Sequence, residues 1–433
     1  MPASLDISLA PERLDDGLPE ERACFGLFAI RFGEADLTGG MDAFISAYRR
    51  GPLVSGYHAA QWFAWNWWRL RYEPRSTVPE WWRAHKMTAI GEGYVWPNVT
   101  IFSDGVRTVL LAEPSVRPDA KPFRYLGAPP SVLPSREFEA VVDAFIARIQ
   151  GRLEGMEQTN LGRIWEDVLA ERADTNRAWR RRLEALLGRD ADEVEDDAVE
   201  RLVEDAASLG KQAVEELAAH RAQGGELPGA KELGEVAKRS GFAARPQDSP
   251  RLAPGAVSRL HDAPAWKIGA DAARALRTQL ALGEAPIADT RLAELAGVEK
   301  RALEENAPAA DLSFALDRTA TDGRVVLRSH WRTGRRFDLA RLLGDRVVMP
   351  YADRLHAATR AYTWRQKMQR SFAAEFLSPF AAVDAKLAGD YSDEAQADTA
   401  RHFDVSDRTI LTLLVNHGRV DREELGEELG VVA

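Results

Sequence analysis

Cysteine is almost missing from this 433-residue chain: Cys24 stands alone, so no disulfide can form within the chain. Long apolar runs are missing as well, because no stretch approaches the roughly 18 uncharged apolar residues that a membrane span needs. The N-terminal segment carries acidic residues and lacks the apolar run of a secretory signal. Together these absences predict a soluble, cytoplasmic protein that does not engage a membrane.

Several catalytic signatures are also absent. The chain has no G-x-x-x-x-G-K-[ST] loop, no G-x-G-x-x-G after a strand and no G-x-S-x-G nucleophile elbow. Its formal charge of −10 argues against a surface that binds nucleic acid over most of its area, and leaves only a local basic patch for that purpose. Composition therefore points to no enzyme class.

What the chain does contain divides into four stretches. Residues 1–134 hold seven of the twelve tryptophans and most of the strand-like segments, which predicts a tryptophan-rich α+β domain. Residues 135–220 have apolar side chains at helical spacing, and residues 221–262 are rich in Gly, Pro and Ala, as linkers are. Residues 263–433 return to a helical pattern with one short strand pair. The whole pattern predicts an α+β protein that is mainly helical.

Local patterns predict individual elements. Residues 99–112 read as a β-hairpin whose turn is supplied by Asp104 and Gly105. Residues 57–71 are predicted to be helical. A further helix is predicted to begin at Ser135, with its hydroxyl group as the cap of the first turn.

The stretch RRFDLARLLGDRVV, residues 335–348, predicts an amphipathic helix because its apolar residues fall close to one face. Arg341 and Asp345 lie four apart, so they meet on one side of that helix. The same spacing is the one at which a helix offers two ligands to one metal ion. The segment therefore has the spacing of a metal site without its usual residue types.

Five segments of the C-terminal half carry a wider pattern: WKIGADAARALRTQL, APIADTRLAELAGV, GRRFDLARLLGD, QRSFAAEFLSP and ARHFDVSDRTILTLLVNHGRV. In this order they resemble the ImmA/IrrE family of bacterial zinc metallopeptidases, over residues 264–420. The resemblance implies a helical fold with a small sheet, an H-E-x-x-H motif on one helix and a third zinc ligand, a glutamate, on the next. It also implies a link to regulators of stress and mobile-element genes, some of which the family cleaves.

This sequence departs from the family pattern at the metal. The residues at the H-E-x-x-H position are Arg341, Leu342, Leu343, Gly344 and Asp345, and Met368 stands at the position of the third ligand. A guanidinium has no lone pair for a cation, and Leu342 cannot take a proton from an attacking water. We therefore predict vestigial positions with no catalytic residue, no metal and no cofactor. Arg341 and Asp345 are predicted to pair with each other inside the old cavity.

A relocated zinc site is the alternative under which the chain is still an active metallopeptidase. The histidines that flank or follow the helix are His330, His356, His402 and His417. None of them shows paired ligand spacing, and an isolated histidine is more often a surface or hydrogen-bonded residue. This alternative therefore ranks below the non-catalytic one.

Residues 396–417 have the outline of a helix-turn-helix, with Ser406 as the cap of the second helix. That helix offers Arg408, Thr409 and Thr412 as polar groups. The acidic segment DREELGEELG follows it, whereas DNA recognition draws on several Lys or Arg for phosphate contacts. Structural packing is therefore favoured. A DNA-binding regulator would show salt-sensitive retention on duplex DNA that Arg408→Ala weakens.

The stretch YHAAQWFAWNWWRLRYEP concentrates aromatic residues in the N-terminal domain. Each tryptophan buries a large area, and exposed aromatic patches of this size are rare, so a core is favoured. Trp and Arg are also enriched at binding hot spots. If a binding surface lies in this half, its candidates are Trp67, Trp68, Arg69 and Arg71, together with the loop GEGYVWPN.

Three functions follow from these patterns. The first is a non-catalytic ImmA/IrrE-like protein that binds a protein partner in bacterial regulation, stress response or phage defence, by analogy with the family. The second is a DNA-binding transcriptional regulator. The third is an active zinc peptidase with relocated ligands. No motif identifies the partner.

Overall fold

A computed structural model describes residues 4–116, 122–191, 193, 196–256, 263–305, 310–349 and 353–421. Helices dominate it and the sheets are small and antiparallel, so the prediction of an α+β, mainly helical class is confirmed. The chain divides into two compact units, residues 1–199 and residues 200–432. Within the described ranges no helix has the length and apolar character that a membrane crossing requires.

The first unit alternates short strands with helices. Its elements, in chain order, are β1 (Leu5–Pro11), α1 (Pro19–Ala23), β2 (Phe25–Phe32), β3 (Ala35–Asp36), β4 (Gly40–Asp42), β5 (Ala47–Arg49), β6 (Leu53–Ser55), α2 (Gly56–Trp65), α3 (Trp67–Tyr72), α4 (Trp81–His85), β7 (Val99–Ser103), β8 (Arg107–Ala112), β9 (Phe123–Tyr125), β10 (Ala128–Pro134), α5 (Ser135–Arg152), α6 (Asn160–Ala173) and α7 (Thr175–Leu186). The helix α8 (Asp196–Leu209) contains the division between the units.

Three small sheets form in this unit. β2 pairs with β1, β3 and β6; β8 pairs with β7 and β10; and β4 pairs with β5 and β9. The predicted hairpin of β7 and β8 is confirmed. Asp104 Oδ1 accepts the N–H groups of Val106 and Arg107 at 3.0 and 2.8 Å, and Gly105 takes a φ of +96°, which glycine adopts without strain.

Two local predictions for this unit differ from the structure. The predicted helix over residues 57–71 is split into α2 and α3, and the side-chain amide of Asn66 at the break donates to the carbonyl of Trp62 at 2.9 Å. Ser135 begins α5 but makes no capping hydrogen bond. Its hydroxyl group instead contacts the hydroxyls of Ser103 and Thr108 at 3.0 and 2.9 Å, and so joins the helix to the hairpin.

The second unit is mainly helical. Its further elements are α9 (Lys211–Ala222), α10 (Ala230–Ser240), β11 (Phe242–Ala244), α11 (Ala265–Gln279), α12 (Asp289–Leu295), α13 (Arg301–Glu304), β12 (Ser313–Asp317), β13 (Gly323–Val326), α14 (Arg332–Val348), β14 (Leu355–Ala358), α15 (Trp364–Leu377), α16 (Phe380–Leu387), α17 (Asp393–Phe403) and α18 (Asp407–Asn416).

One antiparallel sheet, in the order β11-β13-β12-β14, accompanies these helices. The strand β11 and the helix before it fall inside the stretch that composition assigned to a linker. Phe242 and Ala244 of β11 belong to the hydrophobic core of this unit. Small residues suit a linker, but they also suit a short edge strand, and this overlap is why composition did not distinguish the two.

The helix predicted over residues 335–348 is confirmed as α14. It packs against α15, which also lies along α11, and two glycines allow the close approach. A Cβ atom at Gly344 would lie 2.4 Å from the ring of Phe372, and one at Gly269 would lie 2.3 Å from the carbonyl oxygen of Met368. Any side chain at either position would therefore push the helices apart.

Candidate functional site

Three neighbouring elements bring polar side chains into the core of the second unit. α14 supplies Arg341 and Asp345, β14 supplies His356, and α15 supplies Arg365 and Gln369. Each of these side chains belongs to a residue that is 6% exposed or less. Because a buried charge is costly unless it is paired, the partners of each group decide what the cluster can do.

The carboxylate of Asp345 is fully engaged. Arg365 Nε and Nη2 donate to its two oxygens at 2.8 and 2.6 Å, Gln369 Nε2 donates at 2.9 Å, and His356 Nδ1 lies at 2.8 Å. These four contacts use about all the lone-pair directions that a carboxylate has. Burial acts to raise the pKa of this carboxyl, but Arg365 and His356 hold it well below its usual range. Asp345 is therefore an ionised partner of Arg365 and has no free lone pair for a metal ion.

The predicted pair between Arg341 and Asp345 is wrong. Arg341 Nη2 donates instead to the carbonyl of Thr359 at 2.8 Å and to Gln366 Oε1 at 2.6 Å. Its ion-pair partner is Asp338, at 3.6 Å from Nη1. Helical spacing placed the two residues on one side of α14, but the carboxylate is already saturated from α15 and β14, which a pattern within one helix cannot reveal.

The other two vestigial positions lie in apolar surroundings. Leu342 is fully buried in the hydrophobic core of the unit, and Met368 is fully buried on α15. Neither side chain offers a base, and a thioether is a poor ligand for zinc in a site of nitrogen and oxygen donors. Together with the guanidinium of Arg341, these residues do not fit the zinc ion that the family resemblance implies.

A metal site elsewhere would need a cluster of potential ligands. Among the described residues, no group of three or more His, Cys, Asp and Glu side chains is placed to hold a metal ion. His330 and His402 are exposed, and the ring of His417 stacks on Phe380 with 3.5 Å between centroids. His356 is committed to Asp345, as described above.

Glu216 belongs to the same region and was missed at the sequence level. It is 6% exposed on α9, and its Oε2 accepts the hydroxyl of Thr363 at 2.7 Å. Burial raises its pKa to about 7, although Arg365 acts in the opposite direction. The available signal was its place in AVEELAAH, where apolar residues on all sides of the helix are buried.

The candidate tryptophans of the first unit lie in its core. Trp67 and Trp68 are 5% and 7% exposed, so the burial fits the core interpretation. Trp68 Nε1 donates to Glu171 Oε2 at 2.7 Å, and the guanidinium of Arg172 lies 4.6 Å from the ring centre of Trp67. The indole N–H of Trp68 is thus satisfied inside the unit, and the ring face of Trp67 is covered by a cation.

The candidate arginines beside them are also engaged. Arg69 Nε donates to Glu73 Oε2 at 2.6 Å, and its Nη1 donates to Asp190 at 3.1 Å. His85 Nε2 lies 2.9 Å from the same Glu73 oxygen. Arg71, half-buried, pairs with Glu139 and donates to the carbonyl of Gly105 at 2.9 Å. The loop GEGYVWPN presents exposed residues at its first three positions.

The helix-turn-helix outline of residues 396–417 is present as α17 and α18. Asp404 turns the chain between them with a φ of +56°, and Ser406 Oγ accepts the N–H of Thr409 at 3.3 Å, as the capping prediction requires. Arg408 is exposed, whereas Thr409 is buried. The acidic segment DREELGEELG lies outside the described residues beyond its first aspartate.

No family model, curated protein or solved structure matches this chain. The resemblance to the ImmA/IrrE family therefore stays a prediction.

Proposed function

We propose that the second unit is a non-catalytic ImmA/IrrE-like domain. The chain would act in the bacterial cytoplasm by binding a protein partner, in regulation, stress response or phage defence. This proposal takes its setting from the sequence resemblance and its chemistry from the residues around α14.

One observation carries the proposal: the residues at the implied zinc site are committed to each other. Arg341 donates to Thr359 and Gln366, while Asp345 is held by Arg365. A hydrolytic zinc ion needs about three protein ligands and an open position for water. The arrangement supplies internal hydrogen bonds in their place, which supports a domain that holds its shape without metal.

Binding without cleavage is chemically consistent with this arrangement, because recognition of a polypeptide and its hydrolysis rest on different residues. Trp331, directly before α14, is 79% exposed. Exposed tryptophan is unusual on a surface without partners and is enriched at the energetic centres of protein interfaces. This residue supports a protein partner near the N-terminal end of α14.

The test is the amount of zinc per chain, measured by elemental analysis after expression in zinc-supplemented medium. The protein should carry no histidine tag, because added histidines would bind metal themselves. We expect far less than one zinc per chain. About one tightly held zinc per chain would overturn the proposal and favour an active peptidase with relocated ligands.

DNA binding through α18 is the second candidate, and the exposed Arg408 is the observation in its favour. The surrounding surface opposes it, because Asp393, Glu394, Asp398 and Asp407 are exposed on the same helix pair. Carboxylates at these places would repel the phosphate backbone. Protein binding is therefore preferred.

A further inference from the structure

Arg370 lies on α15 beside Arg341 and, unlike Arg341, is only half-buried. Its Nη2 donates to the carbonyl oxygens of Ala361 at 2.6 Å and Thr359 at 3.3 Å. Arg341 Nη2 donates to the same Thr359 oxygen at 2.8 Å. Two guanidinium groups thus converge on a single neutral acceptor.

The charge of this arginine pair is poorly compensated. Arg341 has Asp338 at 3.6 Å, but the other oxygen of that carboxylate accepts the hydroxyl of Ser313 at 2.6 Å. Arg370 has no ion pair among the described residues. Burial lowers the pKa of Arg341, and burial together with the charge of Arg341 lowers the pKa of Arg370 to about 9. Both groups would therefore gain from a nearby negative charge.

An unsatisfied donor points the same way. Arg341 is only 6% exposed, and its buried Nε has no hydrogen-bond partner within the described part of the chain. An unpaired buried donor costs free energy that folding normally avoids. A ligand atom at this donor would remove that cost.

We propose that Arg341 and Arg370 form a binding site for an oxyanion, either a phosphate or a carboxylate group, at the place where the family resemblance implies zinc. A guanidinium N–H donates a charge-assisted hydrogen bond to an oxygen of either group, and Arg341 Nε is the donor that has no partner among the described residues. The half-buried Arg370 connects the site to solvent, and the buried Arg341 holds the inner oxygen. This inference rests on the proposed function in one respect: the anion would be a side chain of the protein partner.

The experiment is a calorimetric titration of the full chain with inorganic phosphate and, separately, with acetate, at ionic strength matched by chloride. Arg370→Gln removes the accessible guanidinium and leaves Arg341 in place. Arg408→Gln is the matched control, because it also removes one arginine charge, from the exposed Arg408 on α18, and leaves the proposed site unchanged. We expect saturable binding to the parent and to Arg408→Gln, weakened about tenfold or more in Arg370→Gln.

The two anions separate the two chemistries: tighter phosphate binding assigns a phosphorylated group, and tighter acetate binding assigns a carboxylate. If binding does not saturate, or if Arg370→Gln binds as tightly as the parent, the proposed oxyanion site is overturned. Zinc content measured on the same protein keeps the proposals apart. A zinc-free chain that binds neither anion removes the oxyanion site alone, whereas a tightly held zinc removes the non-catalytic function.

Discussion

The two units bury charge in different ways. In the first unit, Arg69 meets the carboxylates of Glu73 and Asp190, and His85 completes the group by contacting Glu73 and the carbonyl of Ile101. These carboxylates outweigh burial and raise the pKa of Arg69. Every charge in that cluster has an opposite charge or an acceptor close by, so the cluster is complete without a ligand.

The second unit contains one cluster whose charges are compensated and one whose charges are not. Arg365 is held by Asp345 and Asp353, which raise its pKa despite burial. Arg341 and Arg370 come from the same two helices but have carbonyl and amide acceptors in place of close carboxylates. The difference teaches that burial alone does not mark a functional group. A buried charge whose compensation is incomplete is the one with capacity for a ligand.

The largest expected loss of unfolding free energy comes from removing a carboxylate from a cluster whose charges are fully compensated. Asp345→Ala leaves the guanidinium of Arg365 with half of its compensation, and we expect the second unit to lose about 3–5 kcal/mol of unfolding free energy. Glu73→Ala should cost the first unit a similar amount, because Arg69 loses its nearest carboxylate. Calorimetric melting of the full chain measures both. An unchanged melting transition in Asp345→Ala would show that the charges are solvated.

The next effect is a pH dependence carried by Glu216. Its pKa in the folded protein is about 7, against an ordinary value of 4.5, so the native state holds a proton that the unfolded state releases. Stability should therefore fall as pH rises from about 4.5 to about 7 and level off above, by on the order of 3 kcal/mol in total.

Glu216→Gln tests this pH dependence because it keeps an acceptor for Thr363 and removes the titration. The pH dependence of its unfolding free energy should be flatter than that of the parent over this window. Glu232→Gln, an exposed substitution on α10, is the control and should keep the parent slope. Parallel pH curves for the parent and Glu216→Gln would contradict the assignment.

The smallest effect is expected where compensation is already incomplete. Arg370→Gln removes a charge that has no carboxylate partner among the described residues and that repels Arg341, so the unfolding free energy should fall only by about 1 kcal/mol, from the lost hydrogen bonds to the carbonyls of Ala361 and Thr359. Arg365→Gln on the same helix should cost several kcal/mol, because it breaks a pair with Asp345. Equal losses in chemical denaturation of the two variants would remove the distinction between the clusters.

Periodic patterns in the sequence predicted the elements well. The hairpin around Asp104 and the helix α14 follow from local rules, since turn chemistry and apolar spacing act over a few neighbouring residues. The cap at Ser406 follows from the same kind of rule. The hydroxyl of Ser135 escaped that rule because its partners, Ser103 and Thr108, come from strands far along the chain.

Sequence patterns could predict two residues of the site but not the contacts that those residues make. Sequence reasoning singled out Arg341 and Asp345, but it joined them to each other, because spacing within one helix was the only geometry available. Apart from Asp338 on α14 itself, their actual partners come from β14, from α15 and from the segment between those two elements. Arg365, Arg370 and Glu216 carry no local signature, and the fold alone brings them together.

The two tight glycine contacts on α11 and α14 have a consequence for how this chain can change over generations. The side chains around Arg341 contribute hydrogen bonds and charge to this region. Gly269 and Gly344 contribute neither, but any side chain at either position would meet an atom of α15. We therefore expect substitutions to be tolerated least at these two glycines, although neither takes part in the polar contacts of the region.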